Sequence, residues 1–168
     1  MIFSCSKTKL PYPSQAKFFF QGTTFKLLKK LAMQNKFDYY ILSGKYGLLA
    51  PHDWVKPYDR KIQNNKRDIE RVRKTTLPKL QKLLPLYDLV IVFMSKAYTK
   101  VIESLIDDRF IIVFSKEGRP KYQKILKTCL KFPNGLVLKE LAKYNISKPQ
   151  TPKELTKRNT LEKWVKKD

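Results

Sequence analysis

Apolar residues along this chain fall into short unbroken runs, separated by longer segments in which they recur every three or four positions, so strands should alternate with helices. Met1 to Ser4 predicts a first strand, Tyr39 to Leu42 a second ending at Ser43-Gly44, Leu89 to Met94 a third and Arg109 to Phe114 a fourth. Runs this continuous suit strands covered on both faces. Between them, Ser14 to Lys36 sets Phe19, Phe25, Leu28 and Leu31 on one helical face, with an interruption near Gly22 and a new cap at Thr23 or Thr24. Asn64 to Leu84 repeats Ile69, Val72, Leu77, Leu80 and Leu84 at helical spacing, with Pro78 predicting a kink or break. A third helix follows Ser95 with Tyr98, Val101, Ile102 and Leu105 inward, and Pro120 opens a fourth carrying Tyr122, Ile125, Leu126 and Cys129. The fold class is therefore α/β, a three-layer α/β/α sandwich around a four-stranded parallel sheet, with residues 1–132 as the core domain.

Beyond Phe132 the pattern loosens. Pro133-Asn134-Gly135 reads as a turn, Leu136 to Tyr144 as a short helix and Ser147 to Pro152 as a linker. Thr151 then caps a last helix lined by Leu155, Leu161, Trp164 and Val165, so residues 133–168 form a basic helical C-terminal extension.

Charge narrows the choice of partner. Among 168 residues, 36 Lys and Arg face 14 Asp and Glu, a formal net charge of +22, and no acidic residue occurs before Asp38. A field of that sign points to a polyanion, and DNA, duplex or single-stranded, is the first choice, with tRNA next. No apolar run is long enough to span a bilayer and none leads the chain as a signal sequence, so a cytoplasmic monomer with no membrane partner is expected. Two cysteines, Cys5 and Cys129, and one histidine, His52, cannot assemble a Cys/His zinc site. There is no GxxxxGK[ST] or GxGxxG loop, and no cofactor or metal is expected.

The candidate chemistry sits where the first two strands end. Ser6, Lys7, Thr8 and Lys9 offer hydroxyls and positive charge to a phosphate. Ser43, Lys45 and Tyr46 leave the next strand toward the same crevice, where Tyr46 can stack on a base. Tyr58 and Asp59 are steered back by Pro57, and Asp53 is the second acid of the segment. Ser115, Lys116 and Arg119 form the loop after the fourth strand. Cys5, small and at a strand end, reads as packing.

The initial strand with SCSKTK, followed by ILSGKYGLL and then PYD, resembles the YaaA-related family. The loop from Cys5 to Ser14 is also similar to the PCSxTKPYSxS signature of archaeosine synthase cores. Both resemblances imply a uracil-DNA glycosylase-like sheet with its four strands in the order 2-1-3-4, and an enzyme that processes bases. Chemistry on a base in nucleic acid needs phosphate anchors, a stacking aromatic and a reader of the base edge. Lys7, Lys9, Lys45, Tyr46, Tyr58 and Ser43 supply those types, and Asp59 or Asp53 the carboxylate that breaking an N-glycosidic bond requires. The leading expectation is a DNA glycosylase acting on a modified or damaged base, with Asp59, Asp53 and Ser43 catalytic. The alternatives are a tRNA base-modifying enzyme resembling archaeosine synthase and a non-catalytic DNA-binding stress protein.

Overall fold

A computed structural model describes residues 1–113, 119–132 and 136–144. Its central sheet contains β1 (Ile2–Ser4), β3 (Tyr40–Ser43), β4 (Gly47–Leu49), β6 (Val90–Phe93) and β7 (Phe110–Val113) in the order β4-β3-β1-β6-β7. All neighbours are parallel except β4, which returns antiparallel on β3 with Ser43 opposite Gly47. The sheet thus has five strands where the apolar runs predict four. The fifth escapes the periodicity because only Leu48 and Leu49 mark it, three residues past a strand already ended by glycine.

Two helical layers follow from the strand period of two. In β7, Ile111 and Val113 face one core and Phe110 and Ile112 the other. The first core is closed by α2 (Thr23–Gln34), α5 (Arg119–Cys129) and α6 (Leu136–Ala142), and buries Phe3, Phe25, Phe93, Leu126, Val137 and Leu141. The second is closed by α3 (Lys66–Leu83) and α4 (Lys96–Ile102) through Ile69, Val72, Leu80, Val101 and Ile102. Each such side chain contributes roughly 1.5–3 kcal/mol on burial.

Three local expectations are corrected. The stretch from Ser14 begins as β2 (Ser14–Gln15), which pairs antiparallel with β5 (Trp54–Val55), and then makes the single turn α1 (Ala16–Phe19). No threonine caps α2: Gly22 is its N-cap without a side-chain bond, and the Thr24 hydroxyl instead accepts from Gln123 Nε2 at 3.1 Å. Helix α3 runs through Pro78 without a break, its apolar stripe packed on the sheet before and after the proline. The linker and terminal helix expected beyond Tyr144 lie outside the described residues. Among the described residues no helix is long and apolar enough to cross a membrane.

Candidate functional site

Because β1, β3, β6 and β7 are parallel, their carboxyl ends share one edge of the sheet, where a doubly covered sheet opens its crevice. The β3–β4 turn shapes that edge. Gly47 sits at φ +70°, and a Cβ there would lie 2.5 Å from Thr75 Oγ1. At Gly44 a Cβ would lie 2.8 Å from the Arg60 carbonyl oxygen, so only glycine lets the segment after Pro57 pass across the turn. That passage brings Tyr58 back over Ser43. Helix α3 secures it from behind: Arg71 Nη2 donates to the Gly44 carbonyl at 2.8 Å and to Asp68 at 2.8 Å, and Asp68 also accepts from Arg60 and from the Gln63 N–H at 2.7 Å. Burial works against the Asp68 charge, but the Gln63 hydrogen bond and the two guanidinium groups outweigh it and hold the carboxyl below its ordinary range.

At the centre is a hydroxyl pair. Ser43 is fully buried, and its Oγ accepts the N–H groups of Lys45 at 3.2 Å and Tyr46 at 3.1 Å, which fills both its lone pairs. Its own proton must then go to Tyr58 Oη, 2.7 Å away, which turns the Tyr58 hydroxyl proton away from Ser43 and toward Cys5. Burial, and then the neighbouring Cys5, push the ionisation of Tyr58 far up, with the Ser43 hydrogen bond opposing, so Tyr58 remains a neutral donor. Tyr98 Oη lies 3.6 Å from Cys5 Sγ on the other side and is raised by burial and Cys5 in the same way. The Tyr58 ring has Phe19 stacked on it at 6.1 Å, Tyr46 edge-on at 5.4 Å, Lys9 Nζ at 4.7 Å and Lys45 Nζ at 5.8 Å. One aromatic ring thus carries two ammonium groups and an O–H held only by the weak thiol acceptor of Cys5, a combination that suits an anionic or hydrogen-bonding aromatic ligand.

The structure brings together Ser43, Lys9, Lys45, Tyr46 and Tyr58. Ser6 lies beside them, but its Oγ is engaged within the loop, taking the Gly22 N–H at 3.1 Å and giving its proton to the Thr8 carbonyl. Lys7 and Thr8 are exposed on the same loop, where the Lys7 carbonyl accepts from Lys9 Nζ at 3.1 Å. Asp53 closes a turn by accepting the Ala50 N–H at 2.9 Å, and Asp59 is exposed next to Tyr58. Ser115 and Lys116 lie outside the described residues, and Arg119 opens α5. Four contributors have no place among the residues expected at the site: Phe19 and Tyr98, which read only as core, and Asp68 and Arg71. The last pair had a signal, since Asn65 three residues before Asp68 is a helix-start pattern, and Asn65 Oδ1 does accept the Asp68 N–H at 2.9 Å.

The fold and this edge define an α/β protein with a polar and aromatic crevice at the carboxyl ends of its parallel strands. The chain belongs to the family described as a family of unknown function (DUF6884), which matches residues 1–116 and so spans every strand among the described residues together with Lys9, Ser43, Lys45, Tyr46 and Tyr58. It is also 30% identical over 115 residues to a UPF0246 protein of Lachnoclostridium phytofermentans, a match covering 64% of this chain. The chain spans 44% of that relative's length. The YaaA-related part of the resemblance stands on these matches.

Proposed function

We propose that the crevice receives a base of nucleic acid and that the protein is a base-processing enzyme of the DNA glycosylase kind. The observation that carries this reading is the Tyr58 ring, held by Ser43, flanked by Lys9 and Lys45, with its hydroxyl proton turned toward the Cys5 thiol, a weak acceptor that a base can replace. An extruded base would stack against Tyr46 and accept from the Tyr58 O–H, while the lysines take the flanking phosphates. Hydrolysis would place a water oxygen on the sugar C1′, break the C–N bond and return a proton to the departing base. Asp59, exposed and next to Tyr58 in the chain, would supply the carboxylate that positions that water and stabilises the cationic sugar. The order of the parallel strands supports the likeness to uracil-DNA glycosylases: without β4 they lie β3-β1-β6-β7, which is second, first, third, fourth in chain order.

The test is release of free base from uracil-containing, hypermodified and unmodified DNA, and from tRNA, by the purified protein. Asp59→Asn should lower single-turnover release by about 10²-fold or more with little change in binding. Release from tRNA alone would move the reading to RNA modification. Nucleic-acid binding with no release from any substrate would leave a non-catalytic binder, a second reading favoured by the engagement of Asp53 in a turn.

A further inference from the structure

Beside the crevice, the small unit formed by β2, β5 and α1, together with the loop that leads into β2, carries an unusual surface. Trp54 is 71% exposed, Tyr12 57% and Phe18 51%. Trp54 points outward because the next residue, Val55, is fully buried on the opposite side of a two-stranded sheet. Lys17 Nζ lies 5.0 Å and Lys29 Nζ 5.6 Å from the centre of the Phe18 ring, so exposed rings and ammonium groups interleave. No acidic residue occurs in the first 37 residues, and the nearby Asp53 carboxylate is engaged by the Ala50 N–H. The patch adjoins the crevice. Phe19, next to Phe18, is the ring stacked on Tyr58, and Trp54 is four residues from Tyr58, a span of at most about 14 Å.

We infer that Tyr12, Phe18 and Trp54, with Lys17 and Lys29, form a stacking platform for unpaired bases, so that the protein engages single-stranded rather than duplex nucleic acid. The inference rests on the proposed base-binding crevice and gives its substrate a strand state. Every base has a π-face for an exposed ring, and every linkage a phosphate for a lysine, so a strand running from the crevice satisfies both features at once. A duplex hides those faces in its own stack. Lys17 Nζ also meets His52 Nδ1 at 3.2 Å and Lys29 Nζ donates to the Lys17 carbonyl at 3.0 Å, but these neutral partners leave both positive charges without a counter-charge, which a phosphate supplies and an apolar protein surface does not.

The experiment measures binding of a labelled oligonucleotide of about a dozen residues, single-stranded and as duplex at one salt concentration, together with chemical-shift changes on adding a mononucleotide. Wild-type protein should prefer the single strand, and Trp54→Ala and Phe18→Ala should each weaken it by about tenfold. Trp54→Tyr should largely restore binding, and mononucleotide binding and thermal melting should be unchanged. Equal affinity for single strand and duplex, or wild-type affinity in both alanine variants, would overturn the inference while leaving the crevice reading in place. A wild-type dimer that Trp54→Ala converts to a monomer would also overturn it, by making the patch a contact between copies. If neither oligonucleotide nor mononucleotide binds, the crevice reading itself fails.

Discussion

Ser43 and Tyr58 contribute unequally to stability although they share one hydrogen bond. Removing the serine hydroxyl strips the acceptor from two N–H groups of a part-buried turn, whereas removing the tyrosine hydroxyl loses one neutral bond and leaves a serine proton to reorient. Two donors losing their acceptor cost more than one lost bond, so Ser43→Ala should destabilise by about 1.5–3 kcal/mol and Tyr58→Phe by about 1 kcal/mol. Urea denaturation would check the order, and a Tyr58→Phe protein less stable than Ser43→Ala would show the proton direction to be reversed. Function should invert the ranking. Tyr58→Phe removes the only proton this pair can offer a ligand, so its binding loss should be large relative to its small cost in stability.

At the scale of elements, the crevice depends on the amino-terminal turn of α3 as much as on the strands. Asp68 ties Arg71, Arg60 and the Gln63 N–H together, and Arg71 carries that order to the Gly44 carbonyl. Its carboxyl is held below its ordinary range in the folded protein, so the unfolded chain takes up the proton first as pH falls. Stability from this group is therefore complete above the unfolded value of about 3.9 and is lost as pH drops through the lower folded value. Asp68→Asn should be less stable than wild type at neutral pH and lose less between pH 7 and pH 3. Parallel denaturation curves at the two pH values would read this out, and an equal acid loss in both proteins would sink it. The strands were legible because Leu89 to Met94 and Arg109 to Phe114 leave no other reading for uninterrupted apolar residues. The segment from Ser43 to Asp59 shows its candidate polar and aromatic residues in sequence, but its structure was not legible there. Its short strand β5 is held by pairing with the distant Ser14–Gln15, and β4 by a tight hairpin on Tyr40–Ser43 that two leucines are too few to signal. Tyr98 and Phe19 look like core residues in sequence because they are core residues; their place beside the crevice comes from the sheet edge at which their segments end.

For the molecule as a whole, the charge is a self-repulsion that a polyanionic partner would relieve. With a formal +22, like charges must crowd, and Lys29 shows the effect locally: burial, and then the neighbouring Lys26 and Lys17, lower its affinity for a proton. Lys7, Lys9, Lys17, Lys29 and Lys45 all belong to the acid-free first unit or the adjoining turn, around the crevice and the exposed rings. Binding a polyanion there releases its condensed counterions, and each phosphate engaged steepens the dependence on salt. If about four phosphates are neutralised, raising salt from about 50 to about 200 mM should weaken nucleic-acid binding by roughly 10²-fold. The same salt screens the self-repulsion of the free protein and should raise its melting temperature. Opposite responses of affinity and stability to one salt titration are therefore the signature expected of this molecule. Affinity that stays flat while the melting temperature rises would mean that the positive field is a property of the fold alone and takes no part in holding nucleic acid.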